Sequence, residues 1–292
     1  MRVTQQMISQ QFIQSLHRSN KSMETLHGQI SSGKKYERIS DQPGEVLKGL
    51  SYRSSLSQIE QYQKNVEDGI SWSSAMDGEL GNVTNVLHRV RELTLQASND
   101  TNNPSDRKNI AVEVRSLIDQ VGKIANTAYG SGYLFSGTDL NTQPYQNGAL
   151  QPSNPIVKEW NVGQGLSVKG NVHAASVFGF SVDGKNLFET IDAVAQTLEN
   201  GENPEALLNS IDQQLDHVIT ERTVVGINQN MLELASNKLE QSELLHKKML
   251  STVIDTDITK AFTELSAQET LLQASLSAGG KILQQSLADF LR

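Results

Sequence analysis

Residues 59–97 read IEQYQKNVEDGISWSSAMDGELGNVTNVLHRVRELTLQA, and the apolar spacing in this stretch decides the fold. Ile59, Val66, Ser73, Leu80 and Leu87 recur every seventh residue. Tyr62, Met76, Val83, Val90 and Ala97 fall three positions after members of that series. Sustained over this length, the pattern predicts a helix from about Glu45 to Ala97 with one narrow apolar seam. About 50 helical residues would span roughly 75 Å, too long for a helix that stands alone without partners along its side. Gly69, Gly78 and Gly81 weaken it locally, each by about 1 kcal/mol relative to Ala.

Working outward, partners for that seam appear on both sides. Asn99 to Asn103 is a polar loop, and Asn103-Pro104 reads as an N-cap followed by the first helical residue. Ile110, Val114, Leu117, Val121, Ile124 and Ala128 carry the next helix on one face, and the short loop predicts an antiparallel return. A second long seam runs through Leu208, Ile211, Leu215, Val218, Val225, Leu232, Leu239, Leu250 and Val253. Arg222 falls on that seam as well, so it needs a carboxylate partner or must reach the surface along its own stem.

Between these arms the texture changes. From Tyr129-Gly130-Ser131-Gly132 to about residue 186 the chain is rich in Gly, Asn, Pro, Val and aromatics. Tyr133-Leu134-Phe135, Ile156-Val157, Leu166-Ser167-Val168 and Val177-Phe178-Gly179-Phe180 read as short strands, with Asp183-Gly184 as a hairpin turn. Helix returns at about Leu187–Glu199, and Asn203-Pro204 starts the next one.

Both chain ends carry apolar stripes. Ser9, Phe12, Leu16, Ser19, Met23, Leu26 and Ile30 alternate spacings of three and four, and Gly33 is placed to stop that helix. Leu265, Leu272, Leu276, Leu283 and Phe290 form a stripe on a last helix from about Ile258 to Phe290, with a break expected near Gly279-Gly280. Leu271, Ile282, Leu287 and Leu291 widen that stripe beyond what one partner helix covers, which points to burial by further copies of the chain. The residues expected at such an interface are Met7, Phe12, Leu16, Met23, Leu26, Ile30, Leu265, Leu272, Leu276, Leu283, Leu287 and Phe290.

Composition narrows the function. The 292 residues hold 25 basic and 33 acidic side chains, a net charge of −8, which argues against binding nucleic acid or anionic membrane. There is no cysteine, so disulfides, thiolate metal sites and cysteine nucleophiles are excluded. No apolar run is long enough to span a bilayer, and the N-terminus lacks the apolar core of a secretion signal. The six histidines, His17, His27, His88, His173, His217 and His246, show no metal-ligand spacing. Gly28 to Lys35 nearly matches a phosphate-binding loop, yet it follows a helix and has Lys35 where Ser or Thr would hold magnesium, so it reads as a helix stop. No catalytic, cofactor-binding or metal-binding residues are predicted.

Several stretches resemble the flagellin superfamily. Ser31-Ser32-Gly33-Lys34-Lys35 followed by Ser40-Asp41-Gln42-Pro43-Gly44 is similar to its Ser-Ser-Gly segment and downstream Asp-Asp-Pro-like turn, with Gln42 in place of the second Asp. Asp255-Thr256-Asp257-Ile258 and Gln273-Ala274-Ser275-Leu276 match its last helix. Met1-Arg2-Val3-Thr4-Gln5-Gln6-Met7, Gly132 to Thr138 with Pro144-Tyr145, and Lys281 to Leu291 look more like the hook-associated protein 3 branch than like flagellin itself.

That resemblance implies a mainly α fold with a small β-rich insertion. The N- and C-terminal arms would form an elongated antiparallel helical bundle or coiled-coil rod with the β domain at the distal end. It divides the chain into terminal assembly helices, 1–42 plus 255–292, disordered in the free monomer; a helical rod, 43–130 plus 188–254; and an outer β-rich domain, 131–187. It implies a structural, non-enzymatic protein of the extracellular flagellum without cofactor. The implied partners are hook-associated protein 1, flagellin, copies of itself in a ring, and an export chaperone on the C-terminal region. Two other readings stay open: a filament flagellin, or a glycan-binding β domain using Trp160, Tyr145 and Phe178 on a helical stalk.

Overall fold

The computed structural model describes residues 2–36, 38–99, 103–130, 132–137, 142–152, 158–170 and 172–290; at the ends, side chains are described for residue 7 and from 9 to 280. Helices α1 (Arg2–Ser32), α2 (Pro43–Ser98) and α3 (Pro104–Ala125) come first. Three antiparallel two-stranded hairpins follow: β1 (Ala128–Tyr129) with β2 (Gly132–Tyr133), β3 (Tyr145–Gln146) with β4 (Ala149–Leu150), and β5 (Glu159–Gly163) with β6 (Leu166–Lys169). The short helix α4 (Ala174–Val177) leads to α5 (Leu187–Glu199), α6 (Leu208–Ile254) and α7 (Ile258–Phe290). The protein is mainly α with a small β-rich insertion. It divides into two compact units, Ile59–Gln241 and Met1–Gln58 with Ser242–Arg292.

In the unit Ile59–Gln241 the heptad seam of α2 is buried, with Tyr62 half-buried. Val66, Met76, Leu80, Val83 and Val90 are fully enclosed, facing Ile211, Val218, Val225 and Leu232 of α6 and Val114 and Val121 of α3. Asn103 caps α3 by accepting from Asp106 N at 2.9 Å, with Pro104 as the first helical residue. α5 begins with a reciprocal cap in which Asn186 accepts from Glu189 N and Glu189 accepts from Asn186 N. Asn203 accepts from Glu205 N, but a 3-10 turn over Glu205–Leu207 precedes the start of α6 at Leu208.

Arginines brace the helices from outside. Arg222 holds Asp77 through two bonds of 2.7 and 3.0 Å, joining α6 to α2. Its head stays half-exposed, so the seam position is solved by pairing and by reaching outward together. Arg91 binds Asp212, Arg89 binds Glu113, and Arg115 of α3 binds Asp192 and Glu199 of α5. Hydrogen bonds from Arg222 and Arg115 hold the carboxyls of Asp77 and Glu199 below the ordinary carboxylate range.

The β-rich region corrects several strand expectations. β2 ends at Tyr133, and Leu134 and Phe135 turn inward to complete burial. Val177 to Phe180 is no strand: Val177 ends α4, and Phe178 N and Gly179 N continue helical bonds to Ala174 O and Ala175 O. An apolar run this short suits a buried turn of helix as well as a strand, and its packing on Phe135 and Phe188 decides. Leu166 to Val168 is strand, within β6, and Asp183-Gly184 makes a tight turn with φ of 54° and 79°. The run Ile156-Val157 lies outside the described residues. Phe178 is buried, while Tyr145 and Trp160 are half-buried against the core, Tyr145 stacking on Phe188 at 4.1 Å and Trp160 meeting Trp72 edge-on at 6.3 Å, so all three serve the packing of this region.

Candidate assembly interface

In the unit Met1–Gln58 with Ser242–Arg292, α1 and α7 pair antiparallel. Leu26 lies against Ala261 and Leu265, with Met23 and Ile30 at the edge of this small cluster. Farther along, Ser19 Oγ donates to Gln268 Oε1 at 3.5 Å. Farther still, Phe12 packs directly on Gly279.

A short backbone clasp closes one end of the pair. Gly33, at φ 70°, ends α1 with its N–H on Gln29 O. Lys35 N donates to Ile254 O at 2.7 Å, and Thr256 N donates to Gly33 O at 2.9 Å. Lys35 Nζ also reaches Thr252 O, which gives the lysine of the phosphate-loop-like stretch a structural task. Where α2 meets α6 in the same unit, Gly49 leaves room for Ile254, and the rings of Tyr52 and His246 meet edge to face at 6.3 Å.

The inner seam of α7 differs from the expected stripe. The residues turned toward α1 are Ala261, Leu265, Gln268, Leu272, Ser275 and Gly279, all buried or half-buried. Leu276 lies off that seam and is 53% exposed. Small and polar side chains at four of the six positions hid this series, because a search for leucines follows Leu272, Leu276 and Leu283 instead. α7 also runs through Gly279-Gly280 without a break, since Gly279 is where Phe12 approaches.

Of the expected interface residues, the structure gathers Leu26, Leu265, Met23 and Ile30 in one cluster. Phe12, Leu16 and Leu272 are half-buried along the same pairing. Met7 and Leu276 are exposed and meet no such cluster. The side chains of Leu283, Leu287 and Phe290 lie outside the described residues. Sequence reasoning missed Ile13, Ile258 and Phe262, which are exposed and add apolar surface to the outside of the pair.

Among the described residues no group of three metal-ligating side chains occurs, and no helix is long and apolar enough to cross a membrane.

Comparison with known proteins accounts for both ends at once. The bacterial flagellin N-terminal helical region matches residues 3–139, and the bacterial flagellin C-terminal helical region matches residues 208–291. The chain belongs to the flagellin family. Its flagellin-family relatives include the flagellar filament 30.7 kDa core protein of Treponema maltophilum, 26% identical over 85% of this chain and 84% of that protein. Flagellar hook-associated protein 3 of Escherichia coli K12 is 25% identical, over 95% of this chain and 96% of its own length. A solved structure from Vibrio parahaemolyticus, assigned provisionally to the flagellar hook-associated proteins, superposes with a TM-score of 0.68 at 25% identity, over 74% of this chain and all of that one. Hook-associated protein 3 of Legionella pneumophila shares the fold with a TM-score of 0.63 at 19% identity, over 69% of this chain and 98% of that one. This flagellin-family chain is a structural component of the flagellum.

Proposed function

We infer that the chain is the junction subunit between hook and filament, joining hook-associated protein 1 on one side to flagellin on the other through its terminal helices. The observation that carries this reading is the terminal pair itself. Its inner seam is satisfied within one chain, while Met7, Ile13, Phe262, Leu271 and Leu276 stay exposed on its outside. Apolar surface held out on a helix pair is the surface that neighbouring subunits in a ring would cover. The domain division follows the same logic: residues 1–42 with 255–292 assemble, the helical rod positions them, and the β-rich region faces outward. Ordering of the ends is completed on incorporation, when partners offset its entropy cost. Export would require a chaperone that shields the C-terminal region beforehand. The protein works outside the cell, without catalysis and without a cofactor.

Two measurements test this reading. In cells lacking their own junction protein, expression of this chain should return filaments to the hooks, and without it flagellin should be shed into the medium. Purified alone, the chain should stay unpolymerised, because a junction needs a template. Long filaments formed by the pure chain would mean a filament flagellin and sink the junction reading.

A further inference from the structure

A seam with regular three-four spacing does not define its own alignment. Sliding one helix by seven residues along the other restores the same spacing, so the register rests on fixed points: the backbone clasp of Gly33 and Lys35 with Thr256 and Ile254 is one, at one end of the pair, and the side chains farther along must agree with it. In this chain the sizes of opposed side chains differ sharply from layer to layer. Leu26 faces Ala261 and Leu265, the small Ser19 faces the long Gln268, and the large Phe12 faces Gly279. A Cβ at Gly279 would collide with the Phe12 ring, whereas one at the adjacent Gly280 would meet nothing within 4 Å. Gly279 is buried and Gly280 is exposed, so the two neighbours have opposite surroundings.

We propose that Phe12 and Gly279 are the second register key of the terminal helices, at the end away from the clasp: one aromatic ring in one side-chain-free gap fits the alignment of α1 on α7 that the clasp sets and opposes a slide. A slide of seven residues in one direction brings Phe12 opposite Leu272, where two large side chains compete for one layer. The opposite slide brings Ser19 opposite Gly279 and leaves a void. Overpacking and voids both destabilise a seam, so among the described layers the observed alignment packs better than either slide. The glycine costs helix propensity in α7, and the fit to Phe12 is what it gains. Through the register, clasp and key together decide which residues lie on the outside of the pair. Its consequence for assembly rests on the junction reading above; its effect on alignment does not.

The natural chain has no cysteine, so introduced thiols are the only ones. Full-length protein carrying Ser19→Cys with Gln268→Cys reports the observed register, and Ser19→Cys with Ser275→Cys reports the slid one. Under a short thiol cross-linker the first pair should exceed the second by about tenfold. With the clasp intact, Gly279→Leu should narrow the gap between the two yields, Phe12→Ala added to it should restore the preference, and Gly280→Leu should leave the preference intact. Equal yields in the otherwise natural chain would overturn the proposal. So would a preference that Gly279→Leu leaves undiminished, or one that Gly280→Leu reduces equally. Filament attachment is scored in the same variants: if the natural chain fails to attach filaments, the junction reading falls while the yield ratio still decides the key.

Discussion

The two units of this molecule use the same helical spacing to opposite ends. In the unit Ile59–Gln241, α2, α3, α5 and α6 enclose one another's seams, with a cluster of buried residues that includes five phenylalanine, tryptophan or methionine side chains: Trp72, Met76, Phe135, Phe178 and Phe188. Arginine–carboxylate pairs brace the outside, and side-chain caps start α3 and α5. In the terminal unit the cluster between α1 and α7 contains, among the described residues, only Leu26, Ala261 and Leu265 as buried members. Large apolar side chains stand exposed there, Met7 and Phe262 at 63% each. A seam pattern therefore states that a helix wants a partner. Whether the partner comes from the same chain depends on how many helices are at hand to close around it.

This comparison can be broken most severely by removing the terminal helix pair. A fragment of residues 43–254 should keep a cooperative thermal transition and lose incorporation into flagella altogether. If it unfolds, the helical bundle depends on the terminal pair and the contrast fails. Next in size, Phe178→Ala in the bundle should cost about 3–5 kcal/mol in urea denaturation of the full chain, because a fully buried ring leaves a cavity. Leu26→Ala, in the small terminal cluster, should stay below about 2 kcal/mol, since a thinly covered site can collapse. Equal losses at the two sites would erase the difference in packing.

A charge on the exposed face should separate folding from assembly. Leu276→Glu should change the stability of the free chain by less than about 0.5 kcal/mol, as exposed substitutions do, while blocking incorporation. Normal flagella with this variant would show that Leu276 faces no neighbour.

The smallest effect concerns pH. Asp77 and Glu199 have carboxyls held low by Arg222 and Arg115, so their contribution is present above the unfolded value of about 4 and fades as pH falls through their lower folded values. Thermal transitions of the full chain should drop as pH falls below about 4, and Asp77→Asn should flatten part of that slope. The pairs are half-exposed, so screening keeps each contribution small. An unchanged slope in Asp77→Asn would remove this brace from the bundle's account.

Much of the bundle was legible in the residues. Val66, Met76, Leu80, Val83 and Val90 mark a period of seven that few other structures would satisfy, and Asn103-Pro104 announces the start of α3 by local chemistry. The candidate interface was legible only in part. Leu26 and Leu265 stand out as apolar residues at helical spacing, yet Gln268, Ser275 and Gly279 give no hydrophobic signal, and the stripe through Leu276 was a more conspicuous choice.

The sequence by itself determined the helices, their caps and the need of both ends for a covering partner, because spacing and capping act within a few residues of chain. Only the tertiary structure decided which face of α7 meets α1, and that Val177 to Gly179 closes a helical turn instead of a strand. It also decided that Gly279 is a contact and no break. Those outcomes depend on the size of a side chain brought from far along the chain, which local spacing does not encode.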